Sequence, residues 1–251
     1  MHAHTKLFTA GSFDVKLHHL VIIGVLVLAF STSFLIRSQP AQYGNELMEF
    51  DPFFNFRATE YIVENGFAEY FTWNDDKSWY LPLDSSGIGQ ETTSEGGRDV
   101  SATSQVMLHG TAAVTYQIFG GNSSLYDFTI LFPAVIGSLT VIVIFGLVRL
   151  FGGTTAGLFA SLLFAVSLPI ILRGSIGWFK SEPLGIFYAL LGFYFFFSGI
   201  RSENKKIAFS KIILGGIIMT FAMASWGGIQ FFIIPLGLFI LALPFVRKDH
   251  K

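Results

Sequence analysis

The chain has 251 residues, 52% of them hydrophobic and 13% charged, with 29 phenylalanines and a net charge of −1. Soluble domains carry about 25% charged residues, so this balance belongs to a membrane protein. The absence of cysteine excludes a disulfide framework and a thiolate site, and the near-zero net charge gives no ground for a nucleic-acid partner.

A bilayer-spanning helix needs about 17–25 mostly apolar residues, because its backbone groups must be satisfied internally. The first such run is Leu20–Ile36. Its leader is long, the run exceeds a secretory h-region and no small-x-small cleavage site follows, so it reads as a retained anchor. Residues 38–125 form a first external loop with short helices, which holds most of the chain's 17 acids against Arg57, Lys77 and Arg98. Within it, Pro52 suits the first position of a helix and Asp51 is a favoured N-cap. Phe54, Ala58, Tyr61 and Ile62 share one face until Asn65-Gly66 ends the helix. A cap uses one carboxylate oxygen, so the second oxygen of Asp51 stays free for a cation or ligand. Leu83–Gly97, rich in Gly, Ser and Thr, reads as a flexible insertion. Val106–Phe119 is short and carries His109, Thr111, Thr115 and Gln117, which predicts a helix lying at the surface. Asn122–Ser124 is an acceptor sequon for N-glycosylation.

Five further spans follow: Tyr126–Leu150, Thr154–Leu172, Pro183–Ile200, Ile207–Trp226 and Ile229–Val246. Six spans in all predict an all-α, polytopic membrane protein forming a single transmembrane domain. Lys6 and Lys16, then Arg149, then Arg201, Lys205 and Lys206, then Arg247, Lys248 and Lys251 all fall on one side, which the positive-inside rule assigns to the cytoplasm. Both termini are then cytoplasmic, residues 1–19 included, and the acidic loop faces outward. His2, His4, His18 and His19 fall on the cytoplasmic side and read as incidental. No phosphate-cradling Gly-rich loop stands between a strand and a helix, which disfavours a nucleotide-sugar donor.

The second external loop, residues 173–182, repeats the chemistry of the first. Glu182 precedes Pro183 where a helix must begin, and a helix N-terminus favours the ionised acid. Arg173 and Lys180 stand beside it at the membrane boundary. One reading is capping and interfacial snorkelling. The other is a divalent Mg²⁺ or Mn²⁺ held by hard oxygens together with a phosphorylated ligand met by Arg or Lys.

The stretches "EFDPFFNFRATEYIVENGFAEYFTWNDDKSWYLPL", "RGSIGWFKSEPLGIF" and "ASWGGIQFFIIPLGLFIL" resemble, in order and spacing, the amino-terminal membrane half of the catalytic subunit of oligosaccharyltransferase, with the archaeal branch nearest. The match spans nearly the whole chain. It implies a GT-C-type glycosyltransferase membrane domain that moves a glycan from a polyprenyl (dolichyl-type) phosphate or pyrophosphate to Asn of Asn-x-Ser/Thr. The implied partners are a lipid-linked oligosaccharide, an acceptor polypeptide and membrane lipid.

The resemblance also implies roles. Asp51 matches the acid that binds the divalent cation and contacts the acceptor amide, and Glu49 completes its acid-x-acid pattern. Arg173 matches the arginine before the second motif, where it compensates charge developing on the carrier, and Glu182 matches the second acid of a paired-acid motif and a metal ligand. Lys180 stands where the family carries the first acid of that pair. Glu182 then serves in its place, the metal is held differently, or Lys180 contacts the pyrophosphate itself. Family members continue beyond this length with more spans, a later external acid and a soluble C-terminal domain whose Trp-Trp-Asp-Tyr-Gly motif grips the acceptor Ser/Thr. None of these lies in the 251 residues, which reads as a partial frame, a split enzyme with a separate chain supplying the C-terminal half, or a diverged protein. Two rival functions are a protein mannosyltransferase and a non-catalytic subunit that binds lipid-linked glycan.

Overall fold

The apolar runs become helices packed side by side, and residues 38–124 and 173–180 meet over one end of them. The computed structural model describes residues 6–10, 13–77 and 97–246. The chain opens with a hairpin absent from the sequence-based reading, β1 (Lys6–Ala10) paired antiparallel with β2 (Phe13–Lys16). Helix α1 (Leu17–Arg37) follows and ends in a 3-10 turn at Gln39–Tyr43, where Pro40 stands at the start. The segment between α1 and the next long helix holds α2 (Phe50–Asn65), β3 (Asn74–Asp75) paired with β4 (Arg98–Asp99), α3 (Val100–Thr103) and α4 (Val106–Phe119). The expected insertion Leu83–Gly97 lies outside the described residues except for Gly97, as do Ser78–Tyr80, His2, His4 and the cations beyond Val246.

Helix α5 (Leu125–Ala165) is 41 residues long, about twice what a bilayer needs. It is a folded hairpin. Gly153 adopts φ 78° and ψ −178°, which breaks the helical run and favours glycine. A Cβ at Gly157 would lie 2.8 Å from the Phe145 carbonyl oxygen, although twelve residues of straight helix would separate them by about 18 Å. Two expected spans are therefore the arms of this hairpin. The second arm is shorter than expected: it ends at Ala165, and α6 (Leu168–Leu172) restarts after a turn. Pro169 is the cause, because it has no N–H to give the preceding turn and fits only the opening of a helix.

Helices α7 (Ser181–Ile200) and α8 (Lys205–Ser225) pack closely where Gly192 meets Gly215, each backbone within reach of the other. Small residues at such a crossing let helices approach in a membrane. A 3-10 turn at Gly227–Ile229, the Trp-Gly-Gly mark, leads into α9 (Gln230–Val246). Among the described residues four helices are long and apolar enough to cross a membrane, α5 among them, and α9 is a shorter apolar helix. They present large apolar side chains outward, such as Val27, Phe159 and Leu163. This is a multi-pass membrane protein.

The seam that positions this end of the helices draws on several parts of the chain. Leu47 ahead of α2, Leu108 and Ala112 of α4, Ile130 and Phe132 of α5, Ile176 and Phe179 of the 173–180 loop and Leu184 of α7 form one buried cluster. The Phe132 and Phe179 rings meet edge to face at 5.6 Å. Helix α4 has the expected bounds but does not lie at the surface: Leu108, His109, Gly110, Ala112 and Ala113 are buried. Its small residues admit close packing against α2, while Val114, Ile118 and Phe119 stay exposed.

Candidate functional site

The loop joining α6 to α7 is fixed by main-chain hydrogen bonds to three separate segments. Ile176 N–H donates to the Arg37 carbonyl at 2.9 Å, Gly177 N–H to Ile130 at 2.9 Å, and Met48 N–H to Gly177 at 3.0 Å. Gly177 has φ 78°, and a Cβ there would collide with the Glu46 carbonyl, so glycine is required where the two segments touch. Asn55 of α2 adds a side-chain bond, donating through Nδ2 to the Phe179 carbonyl at 2.8 Å.

These ties bring both acidic segments to one cavity of about 410 Å³, lined by Asp51, Arg98, Arg173, Lys180, Glu182 and Trp226 among others. Lys180 is the hub. Its ammonium donates to Glu49 Oε2 at 2.5 Å and pairs with Asp51 Oδ2 at 3.0 Å, while its side chain is 13% exposed. Burial alone would depress the Lys180 pKa, but the hydrogen bonds and charges of Glu49 and Asp51 outweigh it and raise the pKa above the ordinary value. Arg173 Nη1 pairs with Glu182 Oε1 at 3.3 Å. The Trp178 ring lies between the two cations, 4.5 Å from Lys180 Nζ and 5.2 Å from the Arg173 guanidinium. Such cation–π contacts fix both charges beside the cavity.

The expected cap does not form as read. Helix α2 begins at Phe50, with Glu49 at the N-cap position and Asp51 inside the first turn, and no side chain caps it. Glu49 adopts φ 67° and ψ −177°, the only positive φ at a non-glycine among the described residues. A strained residue of this kind persists where its surroundings over-determine it. Glu49 is tied to Lys180 through its side chain, and Asp51, inside the first turn, keeps its carboxylate on the cavity.

A buried polar relay stands behind the wall. A carbonyl oxygen only accepts, so Phe179 fixes the Asn55 NH₂ as donor and leaves Asn55 Oδ1 as acceptor. His109 Nε2, at 3.0 Å from that oxygen, must carry the proton, and Nδ1 accepts from the Tyr70 hydroxyl at 2.7 Å. Burial, aided by Arg98, drives the His109 pKa down to about 3, so the ring is neutral. Burial likewise pushes Tyr70 up to about 12, keeping its hydroxyl a donor.

The residues singled out in the sequence therefore all reach one place: Asp51, Arg173, Lys180 and Glu182 line the cavity, and Glu49 closes on Lys180 from beside it. Sequence reading missed Asn55, Trp178, Arg98 and the His109 relay. Asn55 had a signal, since it lies four residues after Asp51 on the same helix face. Trp178 and Arg98 had none, because only folding carries them to the wall.

Glu182 Oε2 is buried without a hydrogen-bond partner. That orphaned oxygen, on a residue that lines the same cavity as Asp51, suits a hard divalent cation. No group of three His, Cys, Asp or Glu occurs among the described residues, so these segments offer such an ion two carboxylates and not a complete shell.

Comparison with known proteins finds that the family model for the N-terminal region of oligosaccharyl transferase STT3 matches residues 20–247. The STT3B subunit of dolichyl-diphosphooligosaccharide-protein glycosyltransferase from Arabidopsis thaliana is 29% identical over 246 residues, covering 95% of this chain and 31% of that protein. The STT3B subunit from Oryza sativa subsp. japonica is 30% identical over 89% of this chain and 29% of its own length. Among solved structures, the archaeal oligosaccharyltransferase AglB from Archaeoglobus fulgidus, in complex with an inhibitory peptide and a dolichol-phosphate, superposes with a TM-score of 0.66 at 18% identity, over 90% of this chain and 26% of that one. An Archaeoglobus fulgidus oligosaccharyltransferase in complex with Zn and sulfate gives 0.60 at 19% identity, over 81% of this chain and 25% of that one. At these identities the structures establish a shared fold. The chain spans less than a third of the length of the relatives it matches.

Proposed function

The chain belongs to the oligosaccharyl transferase STT3 N-terminal family, and from that membership we propose that it forms the membrane part of a glycan-transfer site. The donor is a glycan on a polyprenyl phosphate or pyrophosphate of dolichyl type, and the acceptor is Asn of an Asn-x-Ser/Thr sequon in a polypeptide. The observation that carries this reading is the meeting of Asp51, Lys180, Arg173 and Glu182 in one cavity at the helix ends. There a phosphate emerging from the bilayer meets a peptide arriving from water. The basic segments at the far end of the helices favour a cytoplasmic position for that end and for both termini, with the cavity outside.

An amide nitrogen is a poor nucleophile because its lone pair is delocalised. Asp51, mostly exposed on the cavity, accepts hydrogen bonds from the acceptor amide and takes up its proton as the bond from nitrogen to the sugar C1 forms. The bond from C1 to the carrier phosphate breaks, and its electron pair goes to the phosphate. Arg173, more than half exposed but anchored on Trp178 and Glu182, stabilises that charge as the carrier leaves. Lys180 holds Glu49 and Asp51 in place and offers a second positive charge to the phosphate. A divalent cation, Mn²⁺ or Mg²⁺, would be held by Asp51 and Glu182 and, when bound, polarises the departing phosphate. The remainder of the acceptor site is contributed by polypeptide corresponding to the rest of these relatives, whether joined to this chain or separate from it.

The test is glycan transfer to an Asn-x-Thr peptide in membranes from cells carrying the gene in its natural setting, wild type against Asp51→Asn. The expected result is product on Asn that falls by roughly a hundredfold or more in the variant. Unchanged transfer in the variant, or product on Ser or Thr, would overturn the assignment.

A further inference from the structure

A second concave site lies a membrane's width from the first. The first arm of α5 rises from Tyr126, whose hydroxyl donates to Glu46 Oε2 at 2.7 Å beside the external loops, to Arg149 near the Gly153 turn. Twenty-three residues of helix span about 35 Å, which exceeds the hydrocarbon thickness of a bilayer. At that far end α5 and α7 enclose a cavity of about 610 Å³, whose walls include Phe145, Gly146, Leu191 and Tyr194 and whose charged groups are Arg149 and Arg201.

No carboxylate lines this cavity, and neither arginine forms an ion pair among the described residues. Arg201 donates to the Leu150 carbonyl, and the Arg149 guanidinium lies 5.7 Å from the Phe145 ring centre. Arg201 is also the C-cap of α7, and a helix C-terminus contributes about half a negative charge. Two full positive charges outweigh that, so the cavity is cationic.

Two guanidiniums over apolar walls at a helix-bundle rim match the chemistry of a phosphate carrying hydrocarbon chains. We propose that this cavity binds an anionic phospholipid of the leaflet opposite the Asp51 cavity. Its phosphate sits between Arg149 and Arg201 and its acyl chain lies along Phe145 and Leu191 between α5 and α7. The site is independent of glycan transfer, so the two readings fail separately.

The experiment uses the purified chain, delipidated in detergent and titrated with phosphatidylglycerol, phosphatidylcholine or glycerol phosphate, with bound lipid counted by native mass spectrometry. Phosphatidylglycerol should bind at least about tenfold more tightly than phosphatidylcholine, and glycerol phosphate should not compete at matched concentration. The double variant Arg149→Gln with Arg201→Gln should lose that preference, whereas Arg149→Lys with Arg201→Lys should keep most of it. Leu191→Trp, which fills the apolar wall and leaves the charges, should weaken phosphatidylglycerol binding. Equal binding of the two lipids, displacement of phosphatidylglycerol by glycerol phosphate at matched concentration, or an undiminished preference in the double glutamine variant would each overturn the proposal.

Discussion

Replacing His109 by leucine keeps much of the side-chain volume but removes both ring nitrogens from the relay behind the cavity. Asn55 Oδ1 and the Tyr70 hydroxyl then lose their partners in a closed interior. Each buried orphan costs about 1–3 kcal/mol. Tyr70 retains Ser104 at 2.8 Å, so the lower half of the summed range applies, about 2–4 kcal/mol. For a chain of this size that lowers the melting temperature by roughly 4–16 °C, measured by thermal unfolding in detergent micelles at neutral pH. The variant should also change the acid limb. His109 has a folded pKa of about 3 against an ordinary value of 6.5, so between these values the unfolded chain holds a proton that the folded one does not. Stability is then fully present above pH 6.5 and falls as pH drops toward 3, by about 1.4 kcal/mol per unit at most. The leucine variant should lack this slope. A variant that melts with the wild type and keeps the wild-type acid slope would refute both the buried neutral imidazole and its place in the relay.

Other outcomes follow from the same geometry. Lys180→Ala frees Glu49 and Asp51 from the ammonium that now holds them, so Mn²⁺ affinity followed by electron paramagnetic resonance should rise by roughly tenfold, and an unchanged affinity counts against competition between Lys180 and a metal. Glu49→Gly relieves the positive φ at the start of α2, a term of about 1–3 kcal/mol, whereas Glu49→Ala loses the same ion pair and keeps the strain. The glycine variant should therefore melt above the alanine variant, and the reverse order contradicts a strained Glu49. Gly177→Ala drives a methyl group into the Glu46 carbonyl and should lower the melting temperature while weakening polyprenyl phosphate binding; full retention of both would contradict the joined loops.

Much of this was legible because the membrane imposes simple rules. Apolar length gave the helical segments, and the acid-Pro pairs at Asp51-Pro52 and Glu182-Pro183 marked two helix starts that meet at one cavity. What escaped depends on contacts between distant segments. The sequence already separates the two arms of α5 at Gly152-Gly153, but the packing of one arm on the other, with Gly157 against Phe145, shows only in the fold. The shortening of the second arm turns on Pro169, which sat inside an otherwise convincing apolar run. Asp51 looked like a cap because local preference favours it there, yet the helix starts a residue early, with Glu49 in the N-cap position and tied to Lys180. His109 looked polar and hence superficial, and only Asn55 and Tyr70, 54 and 39 residues away, make it a buried relay.

The chain has no cysteine, so paired cysteines report one contact cleanly. With Asp51→Cys and Lys180→Cys in native membranes, treatment with a short bis-methanethiosulfonate should cross-link the two positions, and added dolichyl phosphate should slow that reaction by occupying the cavity. Cysteines that fail to link, or that link at the same rate with and without the lipid, would contradict a carrier-phosphate site formed where the two external loops meet.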